Sequence, residues 1–284
     1  MPAERDRCRD DRPPDREWDV VVVGSGPAGA SAGVFAARAG LETCVFDRGS
    51  SSIRQCAYLE NFLGFPAGID VPTFCDLARA HLREAGATVV EETVESVARA
   101  DGGFRVETDA GRVASAEHVV AASTYDASYL RGIDDGALFP DGEFVRDADE
   151  RGRTPVAGLY LAGPLAGVPS QAIVAAGHGA MAALALLEDR RLEAGYWRPV
   201  SAYHDWVVPD GRYGGPDWHG AMDEWFDANP PPERSLGDPE VRDLLAAEKR
   251  RRLDMAVDED ERDRRTRRGH AVLRSFLRDA RDDA

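Results

Sequence analysis

The sequence predicts an α/β fold organised around a parallel sheet, and three observations carry that prediction. Asp19 to Val23 is an unbroken, mostly β-branched run, as expected of a strand buried on both faces. The segment Gly24-Ser25-Gly26-Pro27-Ala28-Gly29 follows it at once. Ala30 to Ala39 then supplies a helix that Gly40 ends, and Glu42 to Asp47 a second strand. Strand, glycine loop, helix and strand in that order form a βαβ unit of the Rossmann type.

Each glycine of the loop has a mechanical task. Gly24 permits the tight turn, Gly26 lets the backbone approach a pyrophosphate, and Gly29 lets the helix pack on the strand. The helix N-terminus aims free N–H groups and a positive dipole at the phosphates. Asp47, followed by Arg48, closes the second strand at the distance expected of a carboxylate that binds a ribose hydroxyl.

Beyond this unit, Leu59 to Gly68 is an aromatic loop with Gly and Pro, and Pro72 to Ala85 has helical spacing through Phe74, Leu77 and Leu82 up to Gly86. Thr88–Val90, Val94–Arg99, Phe104–Thr108, Arg112–Ser115 and His118–Ala121 read as short strands separated by turns. They predict a small β meander that returns to the main sheet. Tyr125 to Thr154 is polar and irregular, Gly158 to Ala162 is a further core strand, and Gln171 to Leu187 a long helix. That helix is the most apolar stretch of the chain, but Gly177, His178 and Gly179 interrupt it, so it is expected to be buried rather than to span a membrane. Three segments are expected: a disordered charged tail over 1–17, a dinucleotide-binding domain over 18–194, and an aromatic-rich, then charged, helical extension over 195–284.

Asp and Glu outnumber Lys and Arg by 51 to 35 in 284 residues, for a formal net charge of −16. Such a surface repels nucleic acid and anionic membranes. Lys249 is the single lysine, an imbalance that points to a salt-adapted, GC-rich source. The basic runs at Lys249–Arg252 and Arg262–Arg268 are interleaved with acids, which suits i,i+4 pairing on solvated helices rather than a nucleic-acid surface. Leu244, Leu245, Leu253, Leu273, Phe276 and Leu277 form a narrow apolar stripe that can dock two such helices. Cys8, Cys44, Cys56 and Cys75 include no C-x-x-C pair and no metal-ligand spacing, and with a polar leader they point to a reducing cytoplasm.

In three blocks the chain resembles the thioredoxin reductase family of flavoproteins: the glycine loop through Asp47, the loop Leu59-Glu60-Asn61-Phe62-Leu63-Gly64-Phe65-Pro66, and Gly158-Leu159-Tyr160-Leu161-Ala162-Gly163 through Gln171-Ala172-Ile173 to Gly179. The resemblance implies FAD as cofactor, with its diphosphate on Gly24 to Gly29 and its ribose on Asp47. It also implies that Asn61 lies at the flavin end, Val94 meets the adenine through its backbone, Gly163 lies near the ribityl chain, and Gln171 and Ala172 begin a helix whose N-terminus faces the pyrimidine edge of the ring. A helix N-terminus beside the pyrimidine edge stabilises the negative charge of reduced flavin.

The sequence departs from that family in three places. The stretch from Leu130 to Val156 is too short for a second nucleotide-binding unit, the redox dithiol is missing, and Gly163-Pro164 stands where the family has Gly-Asp. The expected function is an FAD-dependent oxidoreductase that exchanges electrons directly with a small-molecule substrate or a redox protein. A non-catalytic redox sensor or assembly protein is one alternative, and a thiazole-synthase-like use of a dinucleotide is another. The family commonly forms homodimers. Cys56 precedes the Asn61 loop and is a candidate thiol near the flavin, and His178 a candidate proton donor, although an inert thiol and a satisfied core histidine fit the same residues. Cys44 and Cys75 are packing residues. The segment Tyr196 to Phe226 holds Trp197, Trp206, Trp218 and Trp225 with Tyr203 and Tyr213, a density that calls for cover, either over the flavin face or as a satellite core beneath the terminal helices.

Overall fold

A computed structural model describes residues 17–133, 138–211 and 215–278. Residues 1–16 of the expected charged tail, with Cys8, lie outside that range, as does Tyr213 of the aromatic segment. Glu17, the last residue assigned to the tail, instead opens the first strand, whose edge register with Ser115 extends the pairing by two residues.

The expected βαβ unit is present as β1 (Glu17–Val23), α1 (Pro27–Arg38) and β2 (Thr43–Phe46). An antiparallel pair, β3 (Tyr58–Leu59) and β4 (Ile69–Asp70), pinches the aromatic loop shut. After α2 (Val71–Glu84) come β5 (Thr88–Val90), β6 (Val94–Ala100), β7 (Gly103–Thr108), β8 (Val113–Ala121) and β9 (Leu159–Leu161). The sheet runs β5-β2-β1-β8-β7-β6, with β9 also on β8; β5, β2, β1, β8 and β9 are mutually parallel, and β6 and β7 form the antiparallel meander.

One expectation needs correction. Arg112–Ser115 and His118–Ala121 are not two strands, because β8 runs through both. Its first half pairs with β7 and its second with β9, while β1 follows it along nearly the whole length. The change of partner changes the pattern from alternating burial to continuous burial, which imitates a break between two strands.

Alternation along β1 divides the core. Val20 and Val22 face α1, Leu82 of α2 and the alanines of α3 (Ala172–Glu193), whereas Val21 and Val23 face the meander side with Phe104, Leu130 and Leu161. The apolar α3 passes a length and composition test for crossing a membrane, yet half of its most apolar window is buried inside this structure, as its role as a core helix requires.

The chain divides into two compact units between Leu186 and Leu187. The second unit contains α4 (Pro216–Ala228), α5 (Pro239–Leu253), α6 (Glu259–Arg278) and a short parallel pair, β10 (Val208–Pro209) with β11 (Ala256–Val257). Its own apolar cluster gathers Trp197, Val200, Met222, Phe226 and Val241, with Trp218, Trp225, Leu244, Leu245 and Leu253 against it. The aromatic segment thus builds a satellite core with α4 and α5. Glu248, with none of its side chain exposed, anchors that core by accepting hydrogen bonds from Arg191, Arg251 and Arg252.

Candidate functional site

The loop between β1 and α1 is shaped by its glycines. Gly24 has φ +103°, in the region that side chains disfavour, and a Cβ there would stand 2.8 Å from the Ala122 carbonyl oxygen. At Gly29 a Cβ would lie 1.8 Å from the Gly24 carbonyl oxygen, so α1 can leave β1 this steeply only with glycine there. Gly26 caps α1 in extended conformation with no side-chain bond to the first-turn N–H groups, and Pro27 follows. By contrast, α2 is capped by Asp70, whose Oδ1 accepts from Thr73 N–H at 2.9 Å. The first turn of α1 therefore keeps free donors, and no acid in that turn opposes an anion.

Two cavities meet at this loop. One, narrow and about 50 Å³, runs past Gly24, Ser25 and Gly26 to Asp47, Arg48 and Val94. The other, about 520 Å³, runs past Gly26, Pro27 and Ala28 to Asn61, Gln171 and Ala172. Gly26, Ser52, Ala122 and Thr124 line both, so they form one trough with the helix N-terminus at its middle. Of the residues singled out from sequence, Gly29 and Gly163 line neither cavity, since both serve packing.

At the narrow end Asp47 is almost wholly buried. Its Oδ2 accepts from Arg79 Nε at 2.9 Å and from Arg79 Nη2, and its Oδ1 from Gly49 N–H at 2.9 Å. Burial raises its pKa, but the bonds from Ser25, Arg79 and Gly49 together with the Arg79 charge outweigh that and hold the carboxyl below its ordinary value. Two bonds from Arg79, one from Gly49 and one from Ser25 fill the carboxylate's about four lone-pair sites, so a ribose hydroxyl bound here would take the place of one of these donors. Arg79 was invisible in the sequence. It lies 32 residues away on α2, where an arginine ordinarily reads as a solvated face.

At the wide end Asn61 and Gln171, separated by 110 residues, come together through Nδ2 to Oε1 at 3.0 Å. Phe62, Phe65 and Phe74 pack edge-on or tilted beneath the Asn61 loop, over Ile53, Leu59 and Ile69, and fix its height. Cys56, Tyr125 and Pro164 also line this end. Two further residues escaped sequence reading. Ser52 and Thr124 share a hydrogen bond of 3.1 Å between their hydroxyl oxygens, and Thr124 has φ +72°, a strained conformation for a β-branched residue. Such strain is typical of ligand-facing positions.

His178 faces inward. Its Nδ1 accepts from the Gly163 N–H at 3.2 Å, a backbone bond at Glu150 engages it as well, and burial lowers its pKa. It is a core histidine that holds the turn after β9, where Gly163 has φ +68° and a Cβ would stand 2.7 Å from that of Ala28. Gly179 is equally constrained, since its Cβ would stand 2.0 Å from the Ala28 carbonyl oxygen. Small residues at 28, 163 and 179 bring α3 against the start of α1.

Residues 18–123 match the pyridine nucleotide-disulphide oxidoreductase family. The chain is 34% identical over 119 residues to NADPH-dependent thioredoxin reductase 3 of Arabidopsis thaliana, which covers 40% of this chain and 22% of that protein. It is 34% identical over 143 residues to the bifunctional thioredoxin reductase/thioredoxin of Mycobacterium leprae, covering 46% and 31% respectively. The matched part is thus well under half the length of these curated relatives. Among solved structures, a thioredoxin reductase from Gloeobacter violaceus aligns with a TM-score of 0.53 at 18% identity, over 67% of this chain and 99% of that one. The thioredoxin reductase of T. acidophilum aligns with a TM-score of 0.51 at 20% identity, over 62% and 99%. The fold of the first unit is the Rossmann-like FAD-binding fold of those structures.

Proposed function

We propose that the chain is an FAD-binding oxidoreductase that exchanges electrons directly with a small substrate or a redox partner. The observation that carries this reading is the continuous trough: a narrow arm ending at Asp47 and Val94, a wide arm ending at Asn61 and Gln171, and an uncapped helix N-terminus between them. Its shape suits an adenosine end, a diphosphate and a tricyclic end in that order. Gly24 and Gly26 with the first-turn N–H groups of α1 would hold the diphosphate, Asp47 the ribose, and Asn61, Gln171 and Ala172 the ring. Bound there, FAD would supply two-electron transfer chemistry.

Two features of the sequence and the described residues support direct exchange over a thioredoxin relay. No C-x-x-C occurs in the sequence. Among the described residues between β8 and β9 there are two single turns of 3-10 helix, at Ser128–Leu130 and Pro140–Gly142, and no second βαβ unit that would seat NADPH. In this reading the wide arm would admit the substrate directly.

Purification, denaturation and analysis of the released ligand by absorbance and mass test the proposal. Stoichiometric FAD supports it. An adenine compound without flavin absorbance would replace it with the synthase reading, and a flavin that no donor or acceptor turns over would leave a sensor.

A further inference from the structure

The second unit holds a cavity that the flavin reading does not use. It measures about 420 Å³, within the range of small-molecule sites. Trp206, Trp218 and Trp225 supply aromatic walls, with His204, Met222 and Arg252 among the other lining residues. The His204 ring lies 5.1 Å from that of Trp206, tilted by 32°. Trp206 remains 62% exposed, so it stands at the mouth rather than in the core.

Beneath these rings, in an otherwise acidic chain, arginines gather. Arg191, Arg251 and Arg252 all donate to the single buried carboxylate of Glu248, at 2.7 to 3.0 Å. One negative charge among three guanidinium groups leaves the cluster net positive. Arg191 and Arg251 spend further donors on carbonyls, of Val200 and Ser201 in the first case and His204 in the second. Arg252 gives Glu248 only its Nε, at 2.7 Å, while its guanidinium lies 4.8 Å over the Trp225 ring. A guanidinium offers five N–H donors, so Arg252 brings both unspent donors and charge to the cavity wall. His204 reports the same field: its pKa is lowered by burial and then by Arg252 and Arg251, so it is neutral and contributes one donor and one acceptor.

We infer that this cavity binds a small planar aromatic anion, its ring between the tryptophans and its carboxylate or equivalent group on Arg252. Flat rings stack on indole with little loss of freedom, and a desolvated arginine held by aromatic stacking favours a bidentate anion over a neutral group. A cationic ligand would face the net positive cluster. The inference stands apart from the FAD proposal and concerns residues of the second unit alone.

The test uses the full chain and 2-naphthoate as probe, read by quenching of tryptophan fluorescence. Neutral 2-naphthamide tests the charge, and cyclohexanecarboxylate tests the planar ring. Saturable quenching by 2-naphthoate is expected, with either comparator weaker by about tenfold or more, the scale of one charge-assisted hydrogen bond. Arg252→Gln should weaken naphthoate by a similar factor and leave naphthamide unchanged. Trp206→Ala, at a largely exposed position, should weaken both aromatic probes. If naphthoate fails to saturate, if naphthamide binds as tightly, or if Trp206→Ala changes neither, the inference is overturned. Should Arg252→Gln unfold, the comparator ratio in the unmodified chain and the Trp206→Ala result still decide it.

Discussion

Replacing Arg79 by methionine isolates the ion pair on which the narrow arm depends. The substitution keeps an unbranched apolar stem and removes both donors to Asp47 Oδ2. Asp47 has 5% and Arg79 21% of its side chain exposed, so the pair is largely shielded from solvent. Breaking such a pair from one side costs about 3–5 kcal/mol when the remaining charge is fully buried and alone. Asp47 keeps its bonds from Gly49 and Ser25, and Arg79 lies partly at the surface, so a loss of about 2–3 kcal/mol is expected. In urea, that is a fall in midpoint of about 1–2 M for ordinary slopes.

The sign of its pH dependence follows from the same geometry. The folded-state pKa of Asp47 is depressed, so its stabilising contribution is complete above the unfolded value of about 3.9 and is lost as pH falls through the folded value. In Arg79→Met the raising effect of burial is opposed less, and the carboxyl protonates at higher pH. The gap between the two proteins should be widest at neutral pH and should close in acid. Urea unfolding followed by far-ultraviolet circular dichroism, at neutral pH and at about pH 3, measures both. A loss under about 0.5 kcal/mol, the scale of an ordinary surface change, or a gap undiminished in acid would refute the assignment of Asp47 as a buried, arginine-held carboxylate.

Other expectations follow from single contacts. Gly26→Val should abolish flavin retention in refolded protein, because a Cβ at Gly26 already stands 2.9 Å from Ser51 Oγ and the added methyl groups would reach into the phosphate cradle; wild-type flavin content after refolding would remove the loop from the site. His178→Ala leaves the buried Gly163 N–H without its acceptor and should cost about 1–3 kcal/mol of stability by urea unfolding, with His178→Gln recovering part of it. Glu248→Gln strips from three arginines the one carboxylate that pairs with them among the described residues, and should cost about 3 kcal/mol or more, measured on the thermal transition of the second unit. Burial raises the pKa of Glu248, but bonds and charge from Arg251, Arg191 and Arg252 outweigh that and depress it, so the contribution is present above about pH 4.3 and lost in acid. NADPH should not drive reduction of thioredoxin by the purified chain, and bleaching of bound flavin by NADPH followed by thioredoxin reduction would contradict the direct-exchange proposal.

How much could be read in advance depends on whether the cause is local. The glycine loop was legible because positive φ at Gly24 and the close approach at Gly29 are demands on the backbone that only glycine meets, and they leave their mark residue by residue. The βαβ order was legible because burial on both faces writes a continuous apolar run. Where a single strand serves two environments, the pattern misleads: β8 alternates beside β7 and turns wholly apolar beside β9, and periodicity alone divides it. Partners chosen by tertiary packing leave no trace of this kind. Nothing around Arg79 marks it as the ligand of Asp47, and nothing around Thr124 announces its strained backbone or its bond to Ser52.

The aromatic segment shows the boundary between these cases. Its tryptophan density was visible, and the need to cover those rings followed from their size, but the choice of cover rests on helices α4 and α5 and on one carboxylate 51 residues beyond Trp197. Glu248 itself looked like one more acid in an interleaved, solvated run. Its burial inverts that meaning. Three arginines that would each be unremarkable on a helix surface converge on it, and one of them, Arg252, also lines the cavity, where its charge can meet solvent or an anion. The tryptophans line that volume with flat aromatic surface, so on the inference drawn above the same arrangement that stabilises the second unit would also select an aromatic anion.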